Sequence, residues 1–146
     1  MGYGHSIQTS IVLFFDYAAN LRGRKLTVKI NRYFSTIGGL TGALALITYA
    51  GAAHNDTGNL NTVAPILLSH APAFLALSIL SGHSRTATIG GSAIIIGLLL
   101  FCGDLLSRDF LGDRLFPFAA PTGGTVLILG WLIVSLTCWS ECKKAE

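Results

Sequence analysis

Four apolar stretches follow one another along this chain: Phe34–Ala53, Thr62–Leu80, Ala87–Leu106 and Thr122–Trp139, separated by short polar breaks. Each is 18 to 20 residues long. A hydrocarbon core about 30 Å thick takes about 20 residues of helix at 1.5 Å per residue. A four-helix bundle in water would carry a polar stripe along each helix, and these stretches carry almost none. The pattern predicts an all-α integral membrane protein: a four-transmembrane-helix bundle over residues 34–139, an extension over 1–33 and a short polar tail over 140–146.

Within the extension, residues 6–21 place Ile7, Ile11, Phe14, Phe15 and Ala18 on one helical face. The segment is short for a span and contains Asp16, so an amphipathic, interfacial amino-terminal helix is expected. Arg22, Arg24, Lys25, Lys29 and Arg32 then form a basic connector into the first span. Beside a spanning helix such a cluster faces anionic lipid headgroups rather than nucleic acid, and these five residues are the candidate headgroup contacts.

Small residues mark where helices should approach. Gly38 and Gly42 form a GxxxG, with Gly39 and Ala43 one residue on. Gly123 and Gly124 open the fourth span. Pro65 fits a first turn, whereas Pro72 should remove a backbone hydrogen bond and bend the second span.

Composition agrees with a bilayer environment. Hydrophobic residues make up 51% and charged residues 12% of the chain, and the mean hydropathy is +0.61. The net charge of +3 is concentrated at one side of the spans. Arg22, Arg24, Lys25, Lys29, Arg32, Arg85, Lys143 and Lys144 share that side, against Arg108 and Arg114 on the other. This asymmetry predicts both termini in the cytoplasm, or in the matrix for a mitochondrial protein. The start lacks the positive n-region of a secretory signal, and the basic, Ser/Thr-containing extension has the composition of a mitochondrial targeting segment. Cys102, Cys138 and Cys142 show no CxxC spacing, so neither a zinc site nor a disulfide framework is expected.

Few residues could carry chemistry. His70 falls near mid-membrane, where an ionisable group raises the hypothesis of a proton relay, haem ligand or ligand contact. The structural alternative is a neutral imidazole bonded to a carbonyl freed by Pro72 or to a hydroxyl on another helix, and it carries more weight. Haem would need a second axial ligand at that depth, and neither His5, His54, His83 nor Met1 supplies one. Asp104 lies near the end of the third span with Arg108 at i+4, the spacing of a local salt bridge. The sharper reading is a proton path from Asp104 to His70. Asp109 and Asp113 alternate with Arg108 and Arg114 and read as a self-neutralising exposed loop. Trp131, in mid-span, should pack against a neighbour. Phosphate-loop, nucleophile-elbow and HExxH motifs are missing from the sequence, so no enzymatic activity, metal or cofactor is expected, though the basic connector leaves room for a bound phospholipid such as cardiolipin.

Leu100-Phe101-Cys102, Gly112-Asp113, Ala120-Pro121-Thr122-Gly123-Gly124-Thr125 and Leu129-Gly130-Trp131-Leu132 occur at the spacing of the transmembrane protein 256-like family. Gly51-Ala52-Ala53-His54 and Leu68-Ser69-His70 resemble the ends and centres of its first two helices. The resemblance covers about residues 34–139, departs from the family pattern at Asn55 and Asp104, and leaves 1–33 without a counterpart. It implies a four-helix protein of the inner mitochondrial membrane or bacterial plasma membrane, and no reaction. The expectation is a non-catalytic accessory subunit of a larger inner-membrane complex, with a mitochondrial respiratory-chain complex as the leading host. Its partners would be other membrane subunits and lipids, not nucleic acid. The alternative is a small transporter, channel or lipid-handling protein using His70.

Overall fold

The computed structural model describes residues 28–54 and 58–137. The expected interfacial helix over 6–21, Arg22, Arg24, Lys25, Cys138, Trp139, Cys142 and the polar tail lie outside the described residues. Four helices make up the rest: α1 (Arg32–His54), α2 (Leu60–Leu80), α3 (Arg85–Leu111) and α4 (Ala119–Ser135). No strand occurs among the described residues. The first three helices are long and apolar enough to cross a bilayer, and α4, with 17 residues, is shorter.

Large apolar side chains point outward. Leu40, Leu44, Leu46 and Ile47 of α1, Leu75 and Ile79 of α2, Ile96 and Leu99 of α3, and Ile128 and Leu132 of α4 are all exposed. A monomer in water does not carry apolar surface on this scale. The buried positions of α1 are Phe34, Gly38, Thr41, Ala45 and Thr48, small or polar apart from the first. Their alternating spacing of three and four residues is that of a helix seam. Small side chains inside and large aliphatics outside are what helix association in hydrocarbon favours, because contact between backbones has to supply the attraction. The Thr48 hydroxyl is spent on its own helix, donating to the carbonyls of Leu44 and Ala45.

The chain forms two hairpins. α1 packs along α2 and α3 along α4, and the hairpins meet chiefly through α2 and α3. Phe34 crosses that boundary from α1. Its ring stacks on Phe74 of α2 with centroids 6.5 Å apart. It also occupies the space over Gly91 of α3, where a Cβ would come within 2.6 Å of the ring.

α3 extends five residues beyond the apolar stretch that predicted it, and α4 starts three residues early. Hydropathy falls after Leu106, but the Asp104–Arg108 pair is helix-compatible and carries the helix on. Gly112, with φ +73°, ends it in the left-handed conformation common after a helix. α2 runs unbroken from Leu60 to Leu80 with Pro65 and Pro72 on its exposed side.

One end of the bundle gathers Lys29, Arg32 and Arg85 and no carboxylate among the described residues. The other carries Asp104, Asp109 and Asp113 with Arg108 and Arg114. At the basic end the approach to α1 is fastened to α2: the Asn31 N–H donates to the Ser78 carbonyl at 2.8 Å. The Lys29 carbonyl lies directly against Gly82, leaving no room for a side chain there.

Candidate functional site

Among the described residues, His70 and Asp104 are the polar stations the sequence pointed to within the helices, and each is satisfied by partners in the chain. The first is His70, ten residues into α2. Its Nδ1 lies 2.7 Å from the Ile66 carbonyl oxygen, one turn back on the same helix. A carbonyl only accepts, so Nδ1 carries the proton and donates. Nε2 is then left with a lone pair, and it accepts from the Trp131 indole N–H of α4 at 3.3 Å. Both ring nitrogens of a neutral imidazole are thereby satisfied. The carbonyl is Ile66, not the one freed by Pro72, and the partner on the other helix is an indole, not a hydroxyl.

The Ser69 hydroxyl adds no chemistry to this station. It donates to the same Ile66 carbonyl at 2.9 Å. Although it is 3.3 Å from Nδ1, that nitrogen is already a donor and cannot take its proton. A nucleophile needs an adjacent base with a free lone pair. The ring of His70 packs instead among aromatics, 6.4 Å from Phe74 and 5.9 Å from Trp131 between centroids. With Phe34 these rings form a ladder across the boundary between the hairpins.

The second station is Asp104, whose side chain is wholly buried. Oδ2 accepts from Arg108 through Nε at 3.0 Å and through Nη2. Oδ1 accepts from the backbone N–H of Leu115 at 3.0 Å. The second bond explains the burial. After Gly112 the chain turns back and descends beside α3, so that Leu115 lies against Gly103 and Asp104. This strap, residues 112–118, is not helical, and its backbone groups need partners other than the backbone bonds of a helix. Asp104 supplies one, and Ser107 supplies another by donating its hydroxyl to the Asp113 carbonyl at 2.9 Å. Phe118, with φ +69°, turns the strap into α4. Asp104 is thus a fastening for the α3–α4 connection as well as an ion-pair partner.

The loop acids do not neutralise the arginines in the alternating manner expected from sequence. Asp109 accepts from the side-chain amide of Asn59, at the start of α2, at 2.7 Å, and Asp113 accepts from the Arg114 backbone N–H at 2.8 Å. Among the described residues no hydrogen bond joins the Asp104 cluster to His70. No group of three or more potential metal ligands occurs among them either.

The closest approaches of one helix backbone to another at glycines lie between α3 and α4. Cβ atoms at Gly97 and Gly123 would each come within 3 Å of backbone atoms of the opposite helix, and the same holds for Gly90 and Gly130. Each helix therefore offers two glycines seven residues apart, paired antiparallel. Of these four, only Gly123 is among the packing glycines expected from sequence; Gly90, Gly97 and Gly130 are additional, and the matching seven-residue intervals are the signal that marks them. In the other hairpin Gly38 sits 3.0 Å from the Ala71 carbonyl. Gly42 and Gly124 make ordinary contacts, and Gly39 faces open space. Of the candidate headgroup residues, Lys29 and Arg32 are exposed at the basic end.

Comparison with known proteins places these features in context. Residues 39–124, which include His70, Asp104 and Gly123, match the family described as "Protein of unknown function (DUF423)". Over 58 residues the chain is 34% identical to a UPF0382 membrane protein of Haemophilus influenzae (strain ATCC 51907 / DSM 11121 / KW20 / Rd). That match covers 40% of this chain and 46% of the relative, so it spans about half the relative's length. No solved structure matches.

Proposed function

The chain belongs to the DUF423 family, the transmembrane protein 256-like membrane proteins of bacteria and mitochondria, and from that premise we propose that it is a non-catalytic accessory subunit of a larger membrane assembly. The observation that carries the reading is that the two ionisable groups His70 and Asp104 are occupied by partners within the chain. His70 uses both nitrogens on Ile66 and Trp131, and Asp104 uses both oxygens on Arg108 and Leu115. Neither station offers a free base, nucleophile or ligand set to a substrate. What the molecule does offer is apolar helix surface, most of all on α1, where Leu40, Leu44, Leu46 and Ile47 are uncovered. Such surface accepts lipid or the helix of another subunit.

The mitochondrial inner membrane, with the basic end toward the matrix, is the proposed setting, and a respiratory-chain complex the proposed host. The charge asymmetry between the two ends supports that orientation. The test is isolation of the native assembly in mild detergent, followed by identification of co-migrating chains. Stoichiometric co-migration with other membrane subunits is expected. Recovery of this chain alone, as monomer or homo-oligomer, would count decisively against the reading.

A second reading is a small transporter. It is motivated by the position of the His70–Trp131 pair on the boundary between the hairpins, where relative movement would break it. Proteoliposomes containing the purified chain would then show solute flux, reduced by His70→Ala. The subunit reading predicts no flux from either form.

A further inference from the structure

At the basic end a groove of about 650 Å³ opens beside the start of α1, lined by Ile30, Asn31, Arg32, Tyr33, Thr36 and Ile37. We infer that this groove is a binding site for one anionic phospholipid, with the phosphate held at Arg32 and an acyl chain laid along Ile30 and Ile37. Three observations choose this occupant. The first is charge: Lys29, Arg32 and Arg85 share this end with no carboxylate among the described residues, whereas the opposite end carries three. An anion is therefore favoured here over the other end, where Arg108 and Arg114 accompany the three acids.

The second is the order of the lining. Ile30 and Ile37 are apolar, while Asn31, Arg32 and Thr36 can donate hydrogen bonds. Tyr33 is 81% exposed at the first turn of a membrane-spanning helix, the level at which an amphipathic ring meets headgroups. The third is rigidity. The strand of chain forming one wall is fixed by the Asn31 N–H to Ser78 carbonyl bond and by the seat of Lys29 on Gly82, so the groove is preformed. A cationic rim over an apolar floor suits a phosphodiester with attached acyl chains. A water-soluble phosphate would leave the floor unfilled.

The test is native mass spectrometry of the full chain in detergent, titrated with phosphatidylglycerol or with phosphatidylcholine. One phosphatidylglycerol should be retained in preference to phosphatidylcholine, and soluble glycerol 3-phosphate should not displace it. Arg32→Gln should weaken retention about fivefold, the effect of one cation near the headgroup. Arg85→Gln, at the same end but outside the groove, should weaken it clearly less than Arg32→Gln. Equal weakening by both variants would show diffuse charge attraction and overturn the proposal, as would equal retention of the two lipids. A photoreactive benzoylphenylalanine in place of Thr36 gives a readout independent of the Arg32 variant. A cross-link to lipid is expected, and a cross-link to residues 1–27 or to a second copy of the chain would overturn it.

Discussion

Trp131 of α4 and His70 of α2 share a side-chain hydrogen bond that joins the two hairpins. Interhelical bonds of this kind average about 0.6 kcal/mol in membrane proteins. A double-mutant cycle with His70→Leu and Trp131→Phe should therefore give a coupling of about 0.6 kcal/mol, and a coupling near zero would mean the two rings do not pair. The glycines make a sharper test. A methyl group at Gly123 would fall 2.5 Å from the Phe101 backbone nitrogen, whereas one at Gly39 meets nothing within 4 Å. Gly123→Ala should destabilise by about 1–3 kcal/mol, the range for overpacking, and Gly39→Ala should stay within about 0.5 kcal/mol of the parent. Reversible unfolding in detergent measures both. The contrast also marks the reach of sequence reading. GxxxG says that a backbone can be approached, but Gly39 and Gly42 show that it does not say from which side. His70 was identifiable as unusual by depth alone, while its partners depended on the hairpins' packing and so were hidden.

At the level of elements, the strap between α3 and α4 was the least legible part. Four apolar stretches and their order could be read because a bilayer imposes length and hydrophobicity directly. Where α3 ends could not, because Ser107, Arg108 and Asp109 read as loop by hydropathy yet continue the helix. The Asp104–Arg108 spacing pointed to an ion pair, but the Leu115 N–H bond spans eleven residues and leaves no local pattern. Its role has a direct consequence. Asp104→Leu should speed hydrogen exchange at the Leu115 amide, with Asp104→Asn, which keeps an acceptor, in between. Equal protection in all three proteins would mean that the strap is held by something else. The seven-residue glycine intervals on α3 and α4 have the same character: each is visible alone, and only their antiparallel match gives them meaning.

For the whole molecule, the inside-out distribution of side chains predicts a labelling pattern. Single cysteines at Leu44, Ile96 or Ile128, all exposed in the structure, should resist water-soluble maleimides in membranes. Cysteines at His83 and at Asp113 should react, and from opposite sides of the membrane. Rapid labelling at Leu44 or Ile96 would mean that water, not lipid, covers those faces. The unequal lengths of α3 and α4 carry a last consequence. With 27 and 17 residues, they are about 40 Å and 25 Å long. No slab of uniform thickness matches both. Tilt absorbs part of the difference, and the strap's Leu115, Phe116 and Phe118 extend the shorter path with apolar side chains. The remainder falls on the surroundings, so a bilayer bordering α4 near the acidic end should be thinner than that bordering α3. A protein that builds such a step into its perimeter gains from thin bilayers, or from a neighbour shaped to fill the step.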